Sequence, residues 1–191
     1  MREYSIDQFT SELSSAAPVP GGGGASALMG AVASSLCSMV ANLTTGKKKY
    51  AEYQADIERI LDKAKKLNSE MLDLMQKDAD AFEPLSKAYG IPKETEGRDA
   101  ILEEALKVAA KAPFDIVAKC EEVTDLIEEL VIKGSRLAIS DVGVAASACQ
   151  AAVNGAAMNV YINTKLMKDR EYALDLNEKT ETIVNKVTKL Q

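Results

Sequence analysis

The chain contains no histidine and no tryptophan. The missing histidine excludes Ser-His-Asp and Cys-His catalysis, together with any His-ligated metal site. Proton transfer near neutral pH then falls to carboxylates, lysines, tyrosines, cysteines or water. Cysteines are few: Cys37, Cys120 and Cys149 are odd in number, far apart and without a CxxC pair. That argues against a disulfide framework or zinc knuckle and for buried thiols in a reducing compartment. Positive charge is in deficit, with 23 Lys and Arg against 29 Asp and Glu, a formal net charge of -6. A general nucleic-acid or membrane-surface binder needs a basic field and is disfavoured, whereas an anionic small molecule met by local positive groups is compatible. The opening MREYSIDQFT lacks the apolar core of a signal peptide. Residues 16–46 are uncharged but consist mostly of Gly, Ala, Ser and Thr, so no stretch is read as a membrane span. The expected compartment is the cytoplasm.

Alanine, leucine, lysine and glutamate dominate what remains, in a chain of 191 residues that is 47% apolar and 27% charged. Such a chain reads most simply as one helical domain, residues 1–191. Periodicity and stop signals predict helices over 6–14, from the glycine run to about 43, 49–89, 98–131, 141–167 and 172–190. Pro84 is expected to kink the third helix, and Pro113 to kink or break the fourth. In the second helix, Leu28, Val32, Leu36, Met39, Val40 and Leu43 form an apolar stripe. Ala27, Gly30, Ala31, Ser34 and Ser38 form a small-residue face suited to close helix approach. No strand alternation is visible. The expected fold is all-α: an up-and-down antiparallel helical bundle with two long helices and two central Ala/Gly/Ser-rich ones, the second and fifth, packed on one another or across a subunit interface.

The densest local signal is PVPGGGGASALMG, with four consecutive glycines, Gly21, Gly22, Gly23 and Gly24, entering a helix. Free N–H groups and a positive dipole end suit an anion or polar ligand edge, and a close-packing turn is the competing reading. Neither a P-loop nor a dinucleotide fingerprint is present. Lys47, Lys48 and Lys49, followed by Tyr50, form a cationic cluster after a helix C-terminus, either solvated or capturing an anionic tail. Asp80, in KDADAF, shares a face with Asp73 and Lys77, yet its small and apolar neighbours favour desolvation and a raised pKa. Ser140 and Asp141 open the fifth helix, with plain N-capping as the structural reading. Asn159 and Asn163 lie four apart on an otherwise apolar helix and need partners, as interhelical ties or as ligand contacts.

At about 1.5 Å per residue, the second helix separates the glycines from the lysines by roughly 30 Å. Antiparallel packing then gathers the glycines, Asp80, Asn159 and Asn163 at one end, and the lysines, Ser140 and Asp141 at the other. If both clusters touch one small ligand, they come from different subunits.

Taken together, PVPGGGGASALMGAVASSLCSMVANLTTGKKKY, DADAF and SD…NVYIN resemble, in order and over nearly the whole chain, the formiminotetrahydrofolate cyclodeaminase / methenyltetrahydrofolate cyclohydrolase family. That family usually follows three glycines with serine, where this chain has Gly24, with Ser26 close by. The resemblance implies an all-helical homodimer or higher homo-oligomer, a folate site at a subunit interface, and no metal or redox cofactor. It implies hydrolysis of 5,10-methenyltetrahydrofolate to 10-formyltetrahydrofolate, the reading favoured because no fused formiminotransferase half is present. The alternatives are cyclodeamination of 5-formiminotetrahydrofolate with loss of ammonia, and a non-catalytic helical folate binder or adaptor. In these terms Asp80 or Asp141 serves as acid/base and cation stabiliser. Lys47, Lys48 and Lys49 receive the glutamate tail, with Lys48 electrostatically catalytic, and Tyr50 and Ser140 also bind substrate. The four glycines, Asn159 and Asn163 hold the pterin or the bridging group. The expected partner is a folate, often polyglutamylated, with no nucleic acid and no membrane.

Overall fold

A computed structural model describes residues 1–189. Six α-helices follow one another: α1 (Ile6–Leu13), α2 (Gly22–Thr44), α3 (Gln54–Tyr89), α4 (Arg98–Lys133), α5 (Ile139–Leu166) and α6 (Arg170–Val187). Short 3-10 turns, Lys48–Tyr53 and Arg136–Ala138, precede α3 and α5. No strand occurs among the described residues. The end of the sixth predicted helix, Leu190, lies outside them.

Consecutive long helices run antiparallel. Gly22 at the start of α2 meets the far end of α5 at Asn159. Arg59 of α3 pairs with Glu129 of α4, and Cys149 of α5 bonds to the Cys120 carbonyl of α4. The helix starts and stops are local chemistry. Ser5 and Gln8 form a reciprocal capping box on α1. Gly46, at φ +73°, supplies the left-handed residue after α2. Helix α3 starts five residues later than expected because Tyr50 leaves helical geometry and turns inward, where its Oη accepts the Arg136 backbone N–H at 3.0 Å. Pro84 and Pro113 both sit within continuous helices, so Pro113 marks no break.

The main core joins Ile57, Ile60, Leu67 and Met71 of α3 to Ile116, Val117 and Leu126 of α4, all essentially inaccessible. Each such side chain contributes about 1.5–3 kcal/mol by leaving water. Cys37, Cys120 and Cys149 are free thiols within this core, one each on α2, α4 and α5. Burial pushes the Cys37 thiol up to about 12.

On α2 the two faces differ in burial. Val32, Met39 and Leu43 of the large apolar stripe are exposed, and of that stripe only Val40 is buried. The small face goes inward, in keeping with its suitability for close helix approach: Ala27, Gly30, Ala31 and Ser34 are buried. The cause is close approach, since a Cβ on Gly30 would sit 2.6 Å from Met71 Cε, and one on Gly155 would overlap Ser26 Oγ. Helix α5 likewise buries Ala145, Ala152, Val153 and Ala156 and leaves Val144, Met158 and Ile162 exposed. By length and composition α2 and the stretch Arg136–Leu166 are apolar enough to cross a bilayer, which the sequence reading did not expect. Each buries one face in the bundle and leaves an open face that is uncharged between its ends, over 22–45 and 142–164.

Candidate active site

The first turn of α2 begins at N-cap Gly21, which has no side chain to cap it. Its amide groups are therefore available to other partners. The Gly24 backbone N–H lies close enough to the Asp78 carboxylate of α3 to favour its charged form. Room for that contact exists only because residue 23 is glycine: a Cβ there would overlap both Asp78 oxygens, well inside the 3.0 Å that real Cβ atoms keep. A Cβ on Gly22 would lie 3.0 Å from Asn159 Nδ2, whereas one on Gly21 would meet nothing within 4 Å. The close approach foreseen for the glycine run is thus first an approach to the protein's own carboxylate and amide.

A cavity of about 220 Å³ opens at this point, lined by Gly21–Gly23, Asp78, Asn159 and Asn163, with Phe82 and Pro113 among its apolar walls. Burial raises the pKa of Asp78 above the ordinary aspartate value, and the Gly24 N–H opposes that shift only in part. The result is a half-buried carboxylate at a helix N-terminus, able to exchange a proton with a ligand in the cavity and to sit beside a cation. Asn159 Nδ2 donates to the Gly155 carbonyl at 2.8 Å. Asn163 Nδ2 donates to the Asn159 carbonyl at 2.8 Å and to the Ala109 carbonyl of α4 at 3.3 Å. Both hydrogens of Asn163 Nδ2 are committed to backbone, so its oxygen is the acceptor left for a ligand, whereas Asn159 offers its oxygen and a second N–H.

Asp80 does not join this cluster. Two residues on a helix are about 200° apart, so Asp78 and Asp80 cannot share a face. Asp80 is exposed, accepts from Gln76 Nε2 at 2.8 Å, and lines a separate groove of about 450 Å³ beside Met1, Tyr4 and Glu12 of the N-terminal arm. The carboxylate at the glycine end is Asp78. Gly24 is buried and faces Pro20, outside the cavity wall.

The opposite end of the bundle carries the other cluster. Lys47 Nζ lies 3.4 Å from Ser135 Oγ, and Lys49 Nζ lies 5.5 Å from the Tyr50 ring centroid. The Arg136 N–H holds the Tyr50 hydroxyl below its usual range, helped by Ser135 and the charges of Lys49 and Lys47. Lys48 is exposed. Ser140 and Asp141 stand inside the first turn of α5, whose N-cap is Ala138, so neither is the cap that the sequence suggested. The 23 residues of α2 separate the two clusters by about 35 Å within one chain. Met158 and Ile162, one residue before Asn159 and Asn163 on α5, are exposed.

Comparison with known proteins follows the same lines. The family model described as formiminotransferase-cyclodeaminase matches residues 5–182. The methenyltetrahydrofolate cyclohydrolase of Methylorubrum extorquens is 44% identical over 172 residues, covering 88% of this chain and 83% of that protein. The formimidoyltransferase-cyclodeaminase of Mus musculus is 31% identical over 171 residues, 87% of this chain, but the match spans only 32% of that longer protein. Among solved structures, the formiminotetrahydrofolate cyclodeaminase of Thermotoga maritima is 33% identical with a TM-score of 0.87, covering 97% of this chain and 92% of that one.

Proposed function

The chain belongs to the formiminotransferase-cyclodeaminase family, and we propose that within it the chain is a methenyltetrahydrofolate cyclohydrolase, converting 5,10-methenyltetrahydrofolate to 10-formyltetrahydrofolate. Its named relatives support a role as an enzyme of folate one-carbon metabolism. The choice of reaction is supported by the 44% identical cyclohydrolase, most of whose length is matched. The observation that carries the mechanism is Asp78, a partly desolvated carboxylate facing a cavity at the glycine start of α2.

In this reading the substrate cation places its bridging carbon beside Asp78, whose negative charge favours it. Water attacks that carbon and passes one proton to the carboxylate. The tetrahedral adduct then collapses: the C–N5 bond breaks, N5 takes a proton, and the adduct hydroxyl loses one to become the formyl oxygen. One proton is released overall as the cation is neutralised. Asn159 and Asn163 hold the ring, and no metal or redox cofactor is required.

A cavity of about 220 Å³ is smaller than the 300–1,000 Å³ of sites that enclose a drug-sized ligand. It suits the fused ring and leaves the rest of a folate outside. A second copy of this chain, docked on the uncharged faces of α2 and α5, would bring its Lys47, Lys48, Lys49, Tyr50, Ser140 and Asp141 to the same ligand. The lysines would then hold the glutamate tail. Homodimerisation is part of the proposal.

A second reading, formiminotetrahydrofolate cyclodeaminase, is favoured by the fold match to the Thermotoga maritima enzyme. There N10 attacks the formimino carbon and ammonia leaves after protonation, a role that a protonated Asp78 could fill. Both readings are tested by following methenyltetrahydrofolate absorbance with purified protein. Loss of signal above the uncatalysed rate identifies the cyclohydrolase. Gain of signal from 5-formiminotetrahydrofolate with ammonia release identifies the cyclodeaminase. Silence in both assays overturns the enzyme reading.

A further inference from the structure

Pro113 lies in the interior of α4 and has no N–H. In an unbroken helix residue 113 would donate to the carbonyl four residues earlier, which is Ala109. That carbonyl instead receives Asn163 Nδ2 from α5 at 3.3 Å. Ala109, Pro113 and Asn163 all line the cavity that holds Asp78. The same Nδ2 also donates to the Asn159 carbonyl at 2.8 Å. A flipped amide would set its oxygen against two carbonyl oxygens, so one orientation is enforced, with Oδ1 left as an acceptor at the cavity.

We propose that Pro113 is a positioning residue: by withholding an N–H it gives the Ala109 carbonyl to Asn163 and locks that amide so that the cavity wall presents an acceptor. The lock selects ligands that offer an N–H edge there, as a reduced pterin does. An amide free to rotate would serve donors and acceptors alike and would discriminate less. The identity of the ligand rests on the folate reading above; the lock itself does not.

Two measurements test it. The first is a thermal-unfolding cycle of wild type, Pro113→Ala, Asn163→Ala and the double variant. Asn163→Ala leaves the Ala109 carbonyl without a partner and lowers Tm by about 3–6 °C. In the Pro113→Ala background the backbone N–H restored at position 113 takes that carbonyl, so the same substitution costs less than half as much. Additive shifts overturn the lock.

The second compares 5-formyltetrahydrofolate affinity and steady-state kinetics of wild type and Pro113→Ala. Held by the Asn159 carbonyl alone, the amide flips at the cost of one bond rather than two, and binding weakens about five-fold, with a larger change in KM than in kcat and no fall in Tm. Unchanged affinity, or loss of affinity only in step with Tm, overturns the positioning role. If wild type itself binds no folate, the folate reading fails, and the unfolding cycle alone decides the lock.

Discussion

Gly23→Ala separates packing from chemistry at the glycine run. The added methyl and the Asp78 carboxylate claim the same space, with all three carboxyl atoms nearer than a real Cβ permits. Backbone of α2 is held by its packing on Met71 and Asn68, so the side chain of Asp78 yields. It rotates out of the cavity and leaves the Gly24 N–H. The lost electrostatic contact costs at most the ~1.5–3 kcal/mol of a charge-assisted bond. Regained hydration of the carboxylate and the higher helix propensity of alanine, about 1 kcal/mol at most in a first turn, offset much of that. The net change is within about 1–2 kcal/mol, a Tm shift of no more than about 2–8 °C for a chain this long.

Turnover has no such compensation. Removing a positioned proton acceptor costs about 10²–10⁴ in rate, so kcat falls by that factor while the fold persists. Gly24→Ala is the matched control, since its Cβ would rest in ordinary contact, 3.4 Å from Pro20 Cβ, and leaves the N–H in place. The assay is methenyltetrahydrofolate turnover beside a thermal melt on both variants. Should Gly23→Ala retain more than about a tenth of wild-type kcat, or Gly24→Ala lose as much as Gly23→Ala, the assignment of Asp78 is wrong.

Asp78→Asn should abolish turnover by a similar factor without lowering Tm at pH 7, because it removes a carboxylate whose charge burial disfavours. The folded state holds that proton to higher pH than the unfolded chain does. Wild-type stability relative to Asp78→Asn therefore declines as pH rises from the ordinary aspartate range through the folded pKa, and is flat above it. Wild-type activity rises over the same window, and a pH-independent difference in Tm would count against the shift. Met158→Glu places a charge on the exposed face of α5, where Met158 is 69% exposed; light scattering should report monomer, with helicity retained and turnover lost, and an intact dimer would argue for another interface. Lys47→Ala with Lys48→Ala should raise KM for a polyglutamyl substrate about ten-fold and lessen its salt dependence, with little change for the monoglutamate. Equal losses for both substrates would exclude tail binding.

Much of the fold was legible because the helices announce themselves through capping residues, glycine stops and a 3.6-residue period. The antiparallel order followed from short connections, and it placed Asn159 and Asn163 correctly beside the glycines. Local composition singled out Asp80, which the structure places outside the glycine-end cavity. Asp80 has small neighbours in sequence, but neighbours on a helix lie at three and four residues. By that measure Asp78 continues the buried series Leu67, Met71, Leu74 and Met75 toward Phe82, so a carboxylate on an apolar stripe was the available signal. The small face of α2 was legible as a surface for close approach. Neighbours such as Met71 fill the interior and accept only small residues beside them, which leaves Val32, Met39 and Leu43 outside. What no single-chain pattern conveys is which faces remain open for a second copy. The contribution of Pro113 was hidden as well, because a missing N–H has meaning only once the carbonyl it orphans, that of Ala109, has been located.

The three interior thiols have an experimental consequence. Cys37, Cys120 and Cys149 are each no more than 1% exposed and sit on three different helices. The thiolate is the reactive form, and an alkylating reagent can reach it only when α2, α4 or α5 detaches from its neighbours. Timed labelling read by mass spectrometry would record these openings with no engineered probe, Cys120 and Cys149 sharing the α4–α5 contact. The order in which the three masses rise is the order in which the bundle comes apart, and a bound ligand that bridges α2 and α5 should delay Cys37 and Cys149 together.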